Sequence, residues 1–236
     1  MKALYTSLRH YVVQKLTVSN KEAIRYILSG RVLVNGQTGT LTQVLLPDDE
    51  VKLDDQVIKT PRETVYIAYH KPAGIESTMN AAVQNNLMQA LDLNQRVVPV
   101  GRLDKASEGL MLLTNDGELV YDILHAEKHQ EKEYEVTVDK PLTPQALSCL
   151  AAGIVIMGKK TRPAVVVGVN DHTFKIILMQ GLNRQIRRMC YKLGYEVKKL
   201  VRIRIMTIEL GNLARGEWRY LQPSEIRGLI QKITDE

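Results

Sequence analysis

The stretch GRLDKASEGLMLLTNDG, from Gly101 to Gly117, constrains the fold more than any other part of the chain. It reads as a polar loop between two glycines, an apolar strand at 110–114, and an Asn-Asp-Gly turn that opens a helix. A loop of this kind sits at a sheet edge and carries Asp104 there, with Arg102 and Lys105 beside it. Further strands are predicted at 65–70, 133–138, 164–169, 173–179 and 202–210, and helices at 117–124, 143–152, 183–193 and 224–233. Strands outnumber helices without alternating strictly with them. The pattern therefore predicts an α+β fold with a mixed, largely antiparallel sheet rather than a doubly wound parallel one.

Residues 7–58 have a different grammar, two short helices followed by strands. Asn20 is placed to cap a helix whose apolar residues Ala23, Ile24, Ile27 and Leu28 share a face, with Gly30 as its left-handed stop and Lys21 and Arg25 on the opposite face. Asn35-Gly36 and Pro47-Asp48-Asp49 are turn signals between short strands. Pro61 and the mixed charges of 60–63 suggest a linker, so two domains are expected, 1–60 and 61–236.

The formal charge is +6 over 236 residues, and its distribution is uneven. Between Gly181 and Arg204 eight cations face the single acid Glu196, a net of +7, so the excess is one local patch suited to a polyanion. Cys149 and Cys190 lie far apart without metal-ligand spacing, so neither zinc nor a disulfide is expected. Arg9, His10, Gln14 and Lys15 interrupt the start of the chain, and no apolar run reaches membrane-spanning length. A cytoplasmic protein with no membrane partner is expected.

There is no GxxxxGK[ST] loop, no dinucleotide GxGxxG after a strand, no HExxH and no GxSxG. Chemistry by side chains alone, with no cofactor and no metal, is what remains. An aspartate in a loop is ordinarily a turn or capping residue, so the residues by themselves leave Asp104 open between that role and catalysis. Tyr134 reads in the same way as a core tyrosine, because Tyr134, Val136 and Val138 point to one side of a strand.

The string from Gly101 to Gly117 closely resembles the signature of bacterial ribosomal pseudouridine synthases of the small-subunit synthase A branch. The resemblance continues in Lys71-Pro72-Ala73-Gly74, in Lys132-Glu133-Tyr134 and in QGLNRQIRRMC from Gln180 to Cys190. The last of these is most similar to the large-subunit synthase F type. The N-terminal unit resembles an S4 RNA-binding domain, although Asn20-Lys21 stands where Ser-Arg is common.

The resemblance implies isomerisation of one uridine in structured RNA, with 23S ribosomal RNA the expected partner, tRNA the alternative, and a monomeric enzyme. It makes Asp104 the nucleophile, Tyr134 the aromatic face against the uracil, and Arg187 the cation beside the aspartate. A carboxylate must be ionised to attack, and desolvation opposes that charge unless a cation compensates. Arg102 is expected either to fill the stack vacated by the flipped base or to orient the loop through a salt bridge. Lys71, Lys105, Arg184, Arg188, Arg202, Arg204, Lys21 and Arg25 complete the expected RNA contacts. Two rivals stand beside this reading: a non-catalytic RNA-binding or ribosome-assembly protein, and a hydrolase using Asp104 and Glu108 as paired acids.

Overall fold

The computed structural model describes residues 7–61, 64–91, 93–125 and 130–234; the expected linker thus lies partly outside the described residues, at 62 and 63. The chain begins with helices α1 (Leu8–Leu16) and α2 (Asn20–Leu28), followed by strands β1 (Val32–Val34), β2 (Gln37–Thr38), β3 (Val51–Leu53) and β4 (Gln56–Lys59). These strands form one antiparallel sheet in the order β2-β1-β3-β4. The α2 cap is Ser19 rather than the expected Asn20. The Ser19 hydroxyl accepts from the Glu22 N–H at 3.2 Å while the Glu22 carboxylate accepts from the Ser19 N–H at 2.9 Å, a reciprocal box that satisfies two helix-end donors. Leu8, Val12, Ala23, Ile27, Val32 and Val51 form a core beneath the two helices.

After β5 (Tyr66–Lys71) come α3 (Leu87–Ala90), β6 (Val98–Pro99), β7 (Glu108–Thr114), α4 (Gly117–His125), β8 (Lys132–Val138) and α5 (Pro144–Ala152). The short hairpin β9 (Val155–Ile156) and β10 (Lys159–Lys160) leads to β11 (Val165–Asn170), β12 (Thr173–Leu178), α6 (Gln185–Lys192) and β13 (Val197–Ile205). β14 (Ile208–Glu209), β15 (Trp218–Tyr220) and α7 (Pro223–Thr234) close the chain. The large sheet runs β11-β12-β8-β13-β7-β5-β15, antiparallel throughout except between β13 and β7. This is the mixed, mostly antiparallel α+β architecture that the pattern predicts.

Two differences from the expected elements have simple causes. The strand expected at 202–210 is two strands, because Met206 turns with φ of +50° and sends β14 back along β13. β13 also starts earlier, at Val197, and its pairing with β8 slips between Val197 and Lys199, a bulge that the lysine pair conceals in the sequence.

Every residue of β7 is buried, which explains its unbroken apolar run. Leu110 and Leu112 face one core, together with Tyr66 and Ala68 of β5, under α4 and α7. Met111 and Leu113 face a second core with Ile67, Tyr69, Leu87 and Leu103. On the other half of the sheet, Val136, Phe174 and Ile176 pack under α5 and α6 against Leu150, Ile186 and Met189.

The halves meet where β7 and β13 pair in parallel through just Val201–Glu108 and Arg202–Gly109. Gly109, Arg202 and Tyr134 therefore lie in one row across three neighbouring strands. Gly109 has φ of +114°, and a Cβ there would collide with the backbone N and O of Arg202. Gly109→Ala should cost about 3 kcal/mol or more in urea unfolding, because it adds a clash to a strained backbone. Gly36→Ala, at φ of +79° with open space around it, should cost only about 1 kcal/mol.

Candidate active site

A cleft of about 620 Å³ opens at this junction, with Leu103, Leu178, Ile186 and Leu200 as its apolar lining. Asp104, Arg102 and Lys105 from the β6–β7 loop, Tyr134 from β8 and Arg184 from the start of α6 line the same cleft. Asp104 and Tyr134 are half-buried, and Arg102, Lys105 and Arg184 are exposed. Arg184 has left-handed backbone, φ of +52°, as the residue that begins α6. Among the described residues no side chain bonds to the Asp104 carboxylate, so it enters the cleft unengaged.

The loop that carries Asp104 is held through its carbonyl oxygens, one residue after another. Arg202 Nη1 donates to Arg102 O at 3.4 Å, Ser77 Oγ to Leu103 O at 2.6 Å, and the Ser107 N–H to Asp104 O at 2.9 Å. The Gly74 N–H reaches Lys105 O at 2.7 Å with Lys71 Nζ at 3.5 Å, and Arg187 Nη2 reaches Ala106 O at 3.0 Å. Ser77 works in both directions, since its hydroxyl also accepts from the Leu103 N–H at 3.1 Å. Apart from Ser107, within the loop itself, the donors come from the 71–77 stretch, α6 and β13, so the loop's carbonyls are bonded from three directions in the chain.

Three expected RNA contacts are corrected by burial. Lys71 is fully buried, and its ammonium also donates to Pro72 O and Ile75 O, both at 2.8 Å. Arg202 is 1% exposed and donates through Nε to Leu110 O at 2.7 Å. Arg204 is mostly covered and engaged by Glu133 at 2.8 Å and Glu131 at 3.1 Å. A phosphate could not reach the first two without unfolding the sheet.

Arg187 is half-buried and makes no ion pair with Asp104 within 4 Å. Its Nη1 donates to Val197 O at 3.0 Å, so the group ties β13 and α6 to the Asp104 loop. Burial and the neighbouring Arg184 press its pKa below the ordinary guanidinium value, and the Asp104 charge pulls it back up. The cation therefore acts on Asp104 through space and through the loop. Arg188 folds back onto Asn183 O at 3.0 Å and faces away from the cleft, while Lys21 and Arg25 are exposed on α2.

Glu108 does not line the cleft and is paired with Arg215 at 3.0 Å and Lys199 at 3.4 Å, so the acid pair that a hydrolase needs is not assembled. Glu76, Ser77, Gln180 and Gln185 belong to the site or its support and were not singled out by the sequence. Ser77 had no motif to mark it, because its partner is remote in the chain. Among the described residues no cluster of His, Cys, Asp and Glu is arranged for a metal, and no helix is long and apolar enough to cross a membrane.

Residues 65–192, which include the Asp104 loop, Tyr134 and the whole of α6, match the family model of RNA pseudouridylate synthases. The chain is 45% identical over 229 residues to the dual-specificity RNA pseudouridine synthase RluF of Escherichia coli (strain K12), covering 96% of this chain and 79% of the relative. The chain belongs to the RNA pseudouridylate synthase family. Ribosomal small subunit pseudouridine synthase A of Haemophilus influenzae (strain ATCC 51907 / DSM 11121 / KW20 / Rd) is 29% identical over 94% of this chain and 98% of its own length. A solved pseudouridylate synthase superposes with a TM-score of 0.67 at 28% identity, over 94% of this chain and 99% of the other. The protein is an RNA pseudouridine synthase, and the non-catalytic rival falls away.

In this synthase burial brings the Lys71 pKa down from 10.5 to about 8. Between those values the unfolded chain keeps a proton that the folded chain has released. The contribution of Lys71 to stability is thus least below pH 8 and rises with pH across that window. Lys71→Met should cost about 3 kcal/mol at neutral pH by stripping donors from buried carbonyls. In urea titrations at successive pH values, the wild-type stability should rise more steeply above pH 8 than that of the variant.

Proposed function

We propose that Asp104 is the nucleophile for conversion of a flipped uridine to pseudouridine in the cleft at the β7–β13 junction. One observation carries this reading. The unengaged carboxylate of Asp104 stands on a backbone-bonded loop that shares with Tyr134 a cleft of about 620 Å³, a volume in the range of small-ligand sites. The reaction breaks the bond from C1′ to N1, forms one from C1′ to C5, moves a proton off C5 and places one on N1. It needs no redox partner or energy source. Attack at C1′ and attack at the base C6 both start from this arrangement.

Tyr134 is the stacking face for the uracil, and stacking tolerates the turn of the base between bond cleavage and re-formation. Arg187 ties the loop that carries the aspartate to α6 and β13. Arg102 has no side-chain partner among the described residues, which favours its role in filling the vacated stack over a loop-orienting salt bridge. Lys105 and Arg184 supply phosphate contacts around the rim, and Arg188 supplies one outside the cleft. Extruding the uridine costs a few kcal/mol, and these contacts offset it.

The residues up to 60 act as an S4-type RNA-binding unit, with Lys21 and Arg25 directed at phosphates, and residues 61–236 as the catalytic unit. We read the substrate as 23S ribosomal RNA, in keeping with the F-type motif. The dual specificity in the name of the Escherichia coli relative supports a further RNA, for which tRNA is our choice. The enzyme works as a cytoplasmic monomer.

Asp104→Asn should abolish pseudouridine formation, read by carbodiimide mapping of unmodified 23S ribosomal RNA and tRNA transcripts. RNA affinity should stay within about three-fold, since phosphate contacts dominate binding. Activity that survives in this variant would refute the nucleophile assignment. Replacing both Lys21 and Arg25 by Ala should weaken RNA binding and flatten its salt dependence, with the single-turnover rate at saturating RNA unchanged.

A further inference from the structure

A second cleft, of about 520 Å³, lies between α6 and the β9–β10 hairpin. Arg184 lines both clefts, so the two adjoin at that residue. Arg188, Tyr191 and Lys192 recur at helical spacing and fall on one face of α6, with Arg184 at its N-terminal cap. Tyr191 is 79% exposed, and Met157, at the hairpin tip with φ of +51°, is 65% exposed. Large apolar groups left open inside a concave, cationic surface mark a contact site rather than a solvated face. The one acid in the lining, Glu196, is neutralised by Lys198 at 2.7 Å.

We propose that this groove binds an unpaired nucleotide next to the target uridine on the same RNA strand, with its base stacked on Tyr191 and its phosphates held by Arg184, Arg188 and Lys192. The inference rests on the synthase reading of the Asp104 cleft and extends it to the neighbouring base. Charge complementarity selects a polyanion, and the exposed ring selects one with unstacked aromatic bases. Continuity through Arg184 sets the distance: a strand whose uridine occupies the Asp104 cleft passes directly into the groove. A base paired in a duplex could not present its face to Tyr191, so the enzyme would act on a loop or bulge.

The test uses the intact enzyme and a short single-stranded uridine oligomer containing 4-thiouridine. Photocrosslinking should mark the α6 peptide that contains Tyr191, and Tyr191→Ala should remove the mark and weaken binding of the oligomer ~10-fold by fluorescence anisotropy. Tyr191→Phe should bind within about two-fold of the wild type, since stacking does not need the hydroxyl. The melting temperature should not move in either variant, because the ring is exposed. Equal binding by wild type and Tyr191→Ala, with crosslinks elsewhere, would overturn the inference. Pseudouridine formation on ribosomal and transfer RNA transcripts by the wild type is measured alongside. If it is absent while the oligomer still depends on Tyr191, the proposed function fails and the groove stands.

Discussion

The site depends on one set of contacts, the hydrogen bonds from buried cations to the carbonyl oxygens of the loop that holds Asp104. Lys71 and Arg202 have been withdrawn from water, and Arg187 half withdrawn, to serve as backbone donors. Burying a charge is costly unless good acceptors surround it, and the carbonyls supply them. What results is a loop bonded at successive carbonyls, which suits reacting groups that must be held to within a fraction of an ångström. The Asp104 side chain is left unengaged because the loop is fixed through its backbone.

This arrangement separates two uses of positive charge. Buried cations give rigidity and a field at the carboxylate, while the exposed ones, Arg102, Lys105, Arg184 and Arg188, remain available to a polyanion. Exposed charges are screened by salt and contribute mainly to encounter and affinity. Buried charges are screened far less, so their effect on Asp104 persists under the ionic conditions that weaken RNA binding. The basic stretch between Gly181 and Arg204 serves both uses, and only burial distinguishes Arg202 from Arg188.

Much of this was legible in the residues. The apolar run at 110–114 predicted a strand, which the structure buries on both faces as β7, and the helix expected at 183–193 is present as α6, with Ile186, Met189 and Cys190 on its inner face. Other features were hidden for physical reasons. Ser19 and Asn20 are both good caps, and the reciprocal bond to Glu22 chose between them. The turn at Met206 has no glycine or proline to announce it, because a left-handed methionine is tolerated only where the surrounding strands enforce it. Ser77 and Glu76 gave no signal at all, since a short polar residue acquires its role from a partner that the fold brings to it.

The sequence by itself determined the family and the mixed sheet, because these follow from contiguous motifs and from local periodicity. Tertiary structure decided which cations meet solvent, which hold backbone, and that Arg187 bonds the backbone of the Asp104 loop rather than pairing with the Asp104 carboxylate. It also placed Tyr191 in the open beside the site. The division has a physical basis. Hydrophobic pattern and turn chemistry act between near neighbours, whereas burial is a property of what the rest of the chain packs over a residue.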